Sequence, residues 1–255
     1  MDLIISFIIG VLQGIFEWIP ISSQGVISLF LTAIGYDFLE AVDIALFLHL
    51  GTALATISYF KKDVAGIINP KNEKDSNLLR FIIISTFFSL LIGGPVYLFL
   101  NSESLNFSSV NLFIGLMLLI TGTLQGIKKN FKFRKTDSKI SFTDSLVSGG
   151  AQGLSVIPGI SRSGTTMFSL LLRGFNPEYC IKLSFLMSIP VVLIESVYQA
   201  VFKGFGFQIE YLFAAFVAFV VGRATISFFL KYVKKINFSI FCIILGVLSI
   251  VSAIF

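Results

Sequence analysis

Long apolar segments occupy most of the 255-residue chain and constrain its fold more than any other feature. A helix needs about 20 apolar residues to cross the hydrocarbon core of a bilayer. Six segments are long enough to be full membrane spans, at residues 42–60, 78–100, 110–127, 181–202, 209–231 and 237–255. Only 13% of the residues are charged, about half the share of a soluble domain. The sequence therefore predicts an all-α polytopic membrane protein.

Two further apolar regions are interrupted near their middles by turn-forming and polar residues. Residues 3–33 are broken around Pro20, and residues 143–173 are broken around Pro158. Each half holds roughly 12–17 residues and, at 1.5 Å per residue, is shorter than a bilayer core of about 30 Å. Irregular backbone at membrane depth is tolerated where it is buried in protein or lines an aqueous cavity. We therefore expect two re-entrant helical hairpins beside about six transmembrane helices.

The two interrupted regions are similar in sequence, which indicates an internal duplication. At an offset of 138 or 139 residues the chain repeats a glycine, a Gln-Gly pair and an Ile-Pro pair: Gly10, Gln13-Gly14 and Ile19-Pro20 against Gly149, Gln152-Gly153 and Ile157-Pro158. Each copy, residues 1–128 and 140–255, is then one hairpin followed by three spans. Because three is an odd number, the second copy is inverted. We expect one membrane domain with an inverted-topology repeat, whose paired glycines permit close helix packing.

Basic residues are concentrated in a few loops, which indicates the orientation of the chain. Of the 19 lysines and arginines, 16 fall within residues 61–80, 128–139, 173–182 and 231–235. The positive-inside rule places such loops on the cytoplasmic side. The two hairpins then enter from opposite faces and can meet near the middle of the membrane. The net charge of +5 is explained by these loops and requires no nucleic-acid partner.

Polar residues gather at the break of the first hairpin. Gln13 and Glu17 are four residues apart and share a helix face, and Ser22 and Ser23 follow on the break. A carboxylate in an apolar membrane segment is costly to bury, which makes Glu17 a functional candidate. The alternative is an interfacial glutamate near the membrane surface, and the polar neighbours favour the functional interpretation.

The break of the second hairpin has a composition suited to phosphate. It contains Pro158 and Gly159, followed by Ser161-Arg162-Ser163-Gly164-Thr165-Thr166. A turn of small residues that opens a helix presents backbone N–H groups and the positive end of the helix dipole to an anion. An arginine adds a forked donor for phosphate oxygens. Ser161 or Thr165 can instead be simple N-caps, although capping alone does not explain an arginine at membrane depth.

Together the two breaks offer a carboxylate, a guanidinium group and several hydroxyls, a combination suited to hydrolysis of a phosphate ester or anhydride on a lipid. A carboxylate such as that of Glu17 can also hold Mg²⁺ or Ca²⁺ beside phosphate oxygens, because hard cations prefer oxygen ligands. A divalent cation would offset charge that develops during transfer. The alternative is a lipid-phosphate transporter or flippase, since inverted repeats with broken helices are also a transporter architecture.

These motifs resemble the two signatures of the undecaprenyl-diphosphate phosphatase family of the bacitracin-resistance type. The resemblance runs from about residue 3 to the end and includes His49-Leu50-Gly51-Thr52 and residues 183–190. It implies removal of the terminal phosphate from an undecaprenyl-type diphosphate, which recycles the lipid carrier for cell-envelope glycan synthesis. It also implies a metal-dependent site that opens to the outer face of the plasma membrane. The implied partners are a polyprenyl diphosphate lipid and the bilayer, and a homodimer is left open.

The resemblance assigns roles to individual residues. Glu17 and Gln13 match a pair that binds metal or activates water, and Ser23 with Ser22 matches the hydroxyl-bearing turn that follows. The diphosphate-binding loop is matched by Ser161, Arg162, Ser163, Gly164 and Thr166. The family commonly has a histidine where this chain has Val26. Glu17 acting on a metal-bound water is then the expected mechanism, with Ser23 as the alternative nucleophile.

Three other polar residues in the apolar segments invite interpretation. His49 is the only histidine, and it either supplies the missing imidazole as a catalytic group or is a packed, hydrogen-bonded side chain. Glu195 and Arg223 are charges outside the two signatures. Because lone charges are costly at membrane depth, we expect these two to form a structural ion pair between neighbouring spans. The alternative is a polar path for substrate movement.

Overall fold

The computed structural model describes residues 1–102, 107–126, 140–204, 208–232 and 238–254, and all regular structure in them is helical. The predicted all-α class is confirmed for these residues. The eleven α-helices that they form are α1 Leu3–Phe16, α2 Ser23–Ala33, α3 Phe38–Tyr59, α4 Lys61–Ile68, α5 Glu73–Ser102, α6 Phe107–Gly126, α7 Phe142–Gly153, α8 Arg162–Leu172, α9 Pro177–Phe202, α10 Ile209–Tyr232 and α11 Phe238–Ile254. A 3₁₀ turn, Leu154–Val156, follows α7.

Four of the described helices are long and apolar enough to cross a membrane, so the chain is a multi-pass membrane protein. They are Phe38–Tyr59, Glu73–Leu100, Pro177–Phe202 and Ile209–Lys231, which overlap four of the six predicted spans. The other two predicted spans, residues 110–127 and 237–255, correspond to α6 and α11. Their described apolar stretches are shorter, Asn111–Thr123 and Cys242–Val251.

Local sequence explains where the spanning helices begin. Asp37 precedes α3 and accepts hydrogen bonds from the backbone N–H groups of Leu39 and Glu40. Asn176 caps α9 in the same way, and Pro177 occupies its first turn, where a missing N–H costs nothing. The short helix α4 lies inside the basic segment 61–80, which was predicted as a loop. The basic segment 128–139 lies outside the described residues.

The two interrupted regions are pairs of short helices, broken where the sequence predicts. Helices α1 and α2 contain 14 and 11 residues, and α7 and α8 contain 12 and 11. At 1.5 Å per residue none of the four reaches across a bilayer core. The chain turns at Gly159, whose φ of +96° lies in the left-handed region that favours glycine.

Each short helix pair packs against the other half of the chain. Helix α1 packs on α10 and α7 packs on α5, while α3 contacts α9 and α6 contacts α11. Gly10 and Gly149 lie at the close approaches, because an added Cβ would lie 2.6 Å from the Ala214 carbonyl oxygen and 2.5 Å from that of Ser85. The expectation that these glycines permit close helix packing is therefore confirmed.

Candidate active site

The breaks of the two short helix pairs meet inside the protein. Ser22 joins them, because its Oγ accepts hydrogen bonds from the backbone N–H groups of Gly25 and Gly159, each at 3.1 Å. In the opposite direction, the Ser163 hydroxyl donates to the Ile19 carbonyl oxygen at 3.2 Å. A Cβ on Gly25 would lie 2.9 Å from the Gly159 nitrogen, so this approach requires glycine. The two breaks therefore form one structural unit.

Glu17 lies at the centre of this unit, at the end of α1. Its Oε2 accepts hydrogen bonds from Gln13 Nε2 and from the Ser23 hydroxyl, both at 2.9 Å. His49 Nε2 on α3 lies 3.1 Å from the same oxygen. The shared helix face predicted for Gln13 and Glu17 is thus confirmed by a direct contact. The Glu17 side chain is 14% exposed, and its second oxygen is turned towards the other hairpin.

Arg162 is the cation that faces Glu17. It is the first residue of α8, because Ser161 is the N-cap and its Oγ accepts from the Gly164 N–H at 3.1 Å. Arg162 Nη1 lies 3.7 Å from Glu17 Oε1, and the arginine side chain is 10% exposed. The start of α8 also carries unpaired N–H groups and the positive helix dipole. Positive charge from two sources therefore converges on one point.

A small cleft, here called the charged cleft, lies between the two breaks. Its volume is about 10 Å³, room for about one water molecule. A phosphate group therefore fits only if the side chains around the cleft separate. The residues that line it are Glu17, Ile21, Ser22, Ser23, Gln24, His49, Ser155, Ile160, Arg162 and Ser163.

The predicted site residues are distributed unequally around this cleft. Glu17, Ser22, Ser23, His49, Arg162 and Ser163 line it, whereas Gln13, Ser161, Gly164 and Thr166 are absent from the lining. Gln13 lies behind Glu17 and also donates to the Thr52 hydroxyl at 3.3 Å. The Thr166 hydroxyl contacts the Arg162 carbonyl oxygen and the Ser184 hydroxyl. These residues support the lining of the cleft.

His49 has one polar neighbour in the charged cleft and one unsatisfied nitrogen. Its side chain is 3% exposed, Nε2 faces Glu17, and the buried Nδ1 makes no hydrogen bond within the described chain. The imidazole of His49 therefore contacts the Glu17 carboxylate. A catalytic role for His49, one of the two interpretations from the sequence, requires such a contact. Its catalytic role stays a prediction. Val26, one turn into α2, is absent from the cleft lining.

The predicted ion pair between Glu195 and Arg223 is wrong. Glu195 Oε2 instead lies 3.6 Å from Arg162 Nη2. Arg223 Nε donates to the Ser58 hydroxyl at 3.3 Å, and its guanidinium carbon lies 5.5 Å from the centre of the Tyr59 ring. The sequence identifies both charges as unusual but contains no signal for which helices become neighbours. Helix α9, which carries Glu195, packs on α3 and on α8, which carries Arg162.

Two residues of the cleft lining, Gln24 and Ser155, were missed as candidates. Gln24 stands inside the first motif, and its Nε2 donates to the Val156 carbonyl oxygen at 3.3 Å. Ser155 occupies the position that the repeat offset of 138 pairs with Glu17. The internal duplication is therefore the signal that identifies Ser155, because it predicts that equivalent residues of the two breaks lie together.

The donor set fits a divalent cation that takes few ligands from the protein. Among the described residues no group of three or more His, Cys, Asp and Glu side chains is clustered as a metal site. Glu17 is the one acidic side chain in the cleft lining, and Gln13 Oε1 is buried without a hydrogen-bond partner. Mg²⁺ is commonly bound through one or two carboxylates together with substrate phosphates. Glu17 can supply that carboxylate, and Gln13, whose Nε2 donates to Glu17, can add its Oε1 only if the amide turns.

A larger and mostly apolar cavity of about 260 Å³ lies beside the charged cleft. It is bordered by α5, by α9 and by the end of α7, and we call it the apolar cavity. Its wall includes Leu90, Leu98, Val191, Ile194, Glu195 and Gln199. Glu195 therefore lines the apolar cavity and also contacts Arg162 in the charged cleft.

The two serines of the first break are expected to differ in their effect on stability. Ser22→Ala leaves two buried N–H groups without their acceptor and should lower the free energy of unfolding by about 2 kcal/mol. Ser23→Ala removes one hydrogen bond to Glu17 and keeps the helix cap, so its effect should be less than half as large. Thermal unfolding of the purified variants in detergent measures both. Equal losses from the two substitutions would contradict the capping role of Ser22.

The fold and the charged cleft define a multi-pass membrane protein with a phosphate-compatible site between two broken helix pairs. The chain belongs to the family described as bacitracin resistance protein BacA, whose sequence profile matches residues 6–251. The resemblance inferred from the two motifs is thereby confirmed.

Individual relatives extend this similarity over nearly the whole chain. An undecaprenyl-diphosphatase of Methanococcoides burtonii is 40% identical, with 97% of each chain covered. A protein of the same name from Methanothrix thermoacetophila is 32% identical over 98% of this chain and 96% of its own. A third undecaprenyl-diphosphatase, from Haloarcula marismortui, is 34% identical over 99% of this chain and 97% of its own.

Proposed function

We propose that the protein hydrolyses a long-chain, undecaprenyl-type diphosphate to the monophosphate and inorganic phosphate. The reaction recycles a lipid carrier for cell-envelope glycan synthesis. The observation that carries this proposal is the buried Glu17–Arg162 contact of 3.7 Å at the junction of the two breaks. Three relatives with nearly full coverage are named undecaprenyl-diphosphatase, which supports the same reaction class.

Arg162 and the start of α8 bind the diphosphate in this proposal. The guanidinium presents a planar fork of donors that matches phosphate oxygens, and Arg162 Nη1 is buried without a hydrogen-bond partner. An unsatisfied buried donor is costly, so a phosphate oxygen at this nitrogen is favourable. The Ser163 hydroxyl lies in the same cleft, and it supplies a further donor once its hydrogen bond to the Ile19 carbonyl oxygen opens.

Glu17 orients and deprotonates the attacking water. Gln13, Ser23 and His49 all contact its Oε2, which fixes the carboxylate and leaves Oε1 facing Arg162. Ser23 is the second candidate for the nucleophile, because its hydroxyl donates to Glu17 at 2.9 Å. A hydroxyl within reach of a base is the usual arrangement of an activated nucleophile. In this proposal His49 positions Glu17, and its support is the Nε2–Oε2 contact of 3.1 Å.

Glu17 and Gln13 are the proposed ligands of a divalent cation, Mg²⁺ or Ca²⁺. The unpartnered Gln13 Oε1 and the Glu17 carboxylate are oxygen donors of the kind that both ions prefer. When bound, the cation supplies positive charge that offsets the negative charge developing on the phosphate.

The proposed topology is an inverted repeat with six spans and two re-entrant hairpins. Its support is the exchange of packing partners: α1 packs on α10, and its counterpart α7 packs on α5, the counterpart of α10. Helices α3 and α9 contact each other, as do α6 and α11. The proposed location is the plasma membrane, with the basic loops in the cytoplasm and the site opening to the outer face. A homodimer stays a prediction.

The transporter alternative has no support from the comparisons, since the three relatives described above are all named as diphosphatases. The architecture alone does not separate the two functions, because broken helices that meet inside the membrane suit both. A transporter would bind phosphate at Arg162 without breaking a bond. Release of inorganic phosphate is therefore the discriminating readout.

Phosphate release from a long-chain polyprenyl diphosphate by the purified protein tests the proposed function. Glu17→Gln and Arg162→Lys should each lower kcat/KM at least about a hundredfold, because the first removes the base that activates water and the second removes the forked donor that holds the phosphate oxygens. A chelator should abolish the activity of the unsubstituted protein, and added Mg²⁺ should restore it.

Arg223→Lys is the matched control for this experiment. Arg223 is also an arginine within an apolar helix, but it contacts Ser58 and Tyr59 away from the charged cleft. The control should keep its activity within about twofold, since it leaves the electrostatics of the cleft unchanged. Full activity in both Glu17→Gln and Arg162→Lys would show that the site is assigned wrongly.

The inverted topology predicts that equivalent positions of the two halves face opposite sides of the membrane. Glu40 and Glu178 are exposed residues in the first turns of α3 and α9, and they are related by the offset of 138 residues. Single cysteines at these positions, with the buried Cys180 and Cys242 replaced by serine, should react with an impermeant thiol reagent from opposite sides. Reaction from the same side excludes the inverted repeat.

A further inference from the structure

The guanidinium group of Arg162 lies between two carboxylates, and neither is close enough for a hydrogen bond. Its Nη1 is 3.7 Å from Glu17 Oε1, and its Nη2 is 3.6 Å from Glu195 Oε2. Arg162 Nη1 and Glu195 Oε2 are both buried without a hydrogen-bond partner in the described residues. The contact between Arg162 and Glu195 is therefore a charge attraction that leaves donors and acceptors unsatisfied, at a cost that a better partner would remove.

The position of Glu195 differs from that of Glu17. Glu195 projects from α9 into the wall of the apolar cavity, and it is absent from the lining of the charged cleft. Arg162 lines the charged cleft and is absent from the wall of the apolar cavity. The Arg162–Glu195 contact thus stands at the boundary between the two spaces. Glu195 belongs to neither of the two sequence motifs.

The two carboxylates beside Arg162 oppose the binding of an anion there. One guanidinium is shared by two carboxylates, so the three groups together carry an excess of negative charge. A diphosphate is itself an anion, and at distances near 4 Å in a partly buried site like charges repel strongly. Glu17 has three other polar contacts that hold it, whereas the Glu195 oxygen that faces Arg162 makes no hydrogen bond. Glu195 is therefore the carboxylate that Arg162 can leave.

We propose that Glu195 is a positioning residue that competes with phosphate for Arg162. The guanidinium leaves Glu195 when the diphosphate binds and returns to it when inorganic phosphate departs. This inference rests on the proposed function, because it assigns Glu195 a part in the binding and release steps of the same site. No bond is made or broken in this exchange. The carboxylate weakens phosphate binding and in return speeds product release.

The dissociation constant of inorganic phosphate tests the inference. It is measured by equilibrium dialysis of radiolabelled phosphate against the purified full-length protein at a fixed Mg²⁺ concentration. Glu195→Gln should bind phosphate about tenfold more tightly, because the competing charge at Arg162 is gone. Glu195→Met should also bind phosphate more tightly. Because a methionine side chain suits the apolar wall, this variant serves as a second test if Glu195→Gln folds poorly. Glu195→Asp keeps the charge and should remain within about threefold of the unsubstituted protein.

Glu73→Gln is the matched control, because it removes the same charge from an exposed position in the first turn of α5. Its dissociation constant should be unchanged. With the polyprenyl diphosphate as substrate, Glu195→Gln should lower kcat and lower KM together, a change that a loss of packing alone does not produce. Unchanged or weaker phosphate binding in both Glu195→Gln and Glu195→Met would overturn the inference.

Direct phosphate binding separates this inference from the proposed function. If the unsubstituted protein releases no phosphate from the lipid but both uncharged variants bind phosphate more tightly, the hydrolytic function fails and the competition at Arg162 stands. If the protein hydrolyses the lipid and the variants bind phosphate no more tightly, the function stands and the inference fails.

Discussion

The attraction between Glu17 and Arg162 in an apolar interior is the interaction on which the rest of the structure depends. Each charge alone would be costly to bury, and each comes from a different broken helix pair. They reach each other because α1 ends beside Glu17 and α8 begins at Arg162. If either broken pair were a continuous helix, its backbone would run past the position where Glu17 and Arg162 meet. The breaks therefore create the site and also expose the backbone groups that suit an anion.

The packing of the halves follows from the same requirement. Two helix breaks meet inside the protein only if each pair inserts against the other half, as α1 does on α10 and α7 on α5. Gly10 and Gly149 permit the close approach of these helices. The Ser22 hydroxyl oxygen accepts hydrogen bonds from backbone N–H groups of both breaks. The apolar cavity lies beside the charged cleft, and Glu195 lines the cavity while contacting Arg162 in the cleft.

Much of this arrangement could be predicted from the sequence, because hydropathy and helix breakers are local signals. The breaks near Pro20 and Pro158 and the shared face of Gln13 and Glu17 depend on neighbours within one turn or one segment. The partner of Glu195 could not be predicted, since it depends on which helices pack together.

The proposal that Glu17 and Arg162 act as one unit is tested most directly by a double-mutant cycle on kcat/KM for phosphate release. When two residues are in contact and take part in the same chemical step, the effects of substituting them on activity are strongly non-additive. The combined variant Glu17→Gln with Arg162→Lys should therefore lose about as much activity as either single variant. A double variant whose fold-loss in kcat/KM equals the product of the two single fold-losses would show that the two residues act independently, which would contradict the proposal.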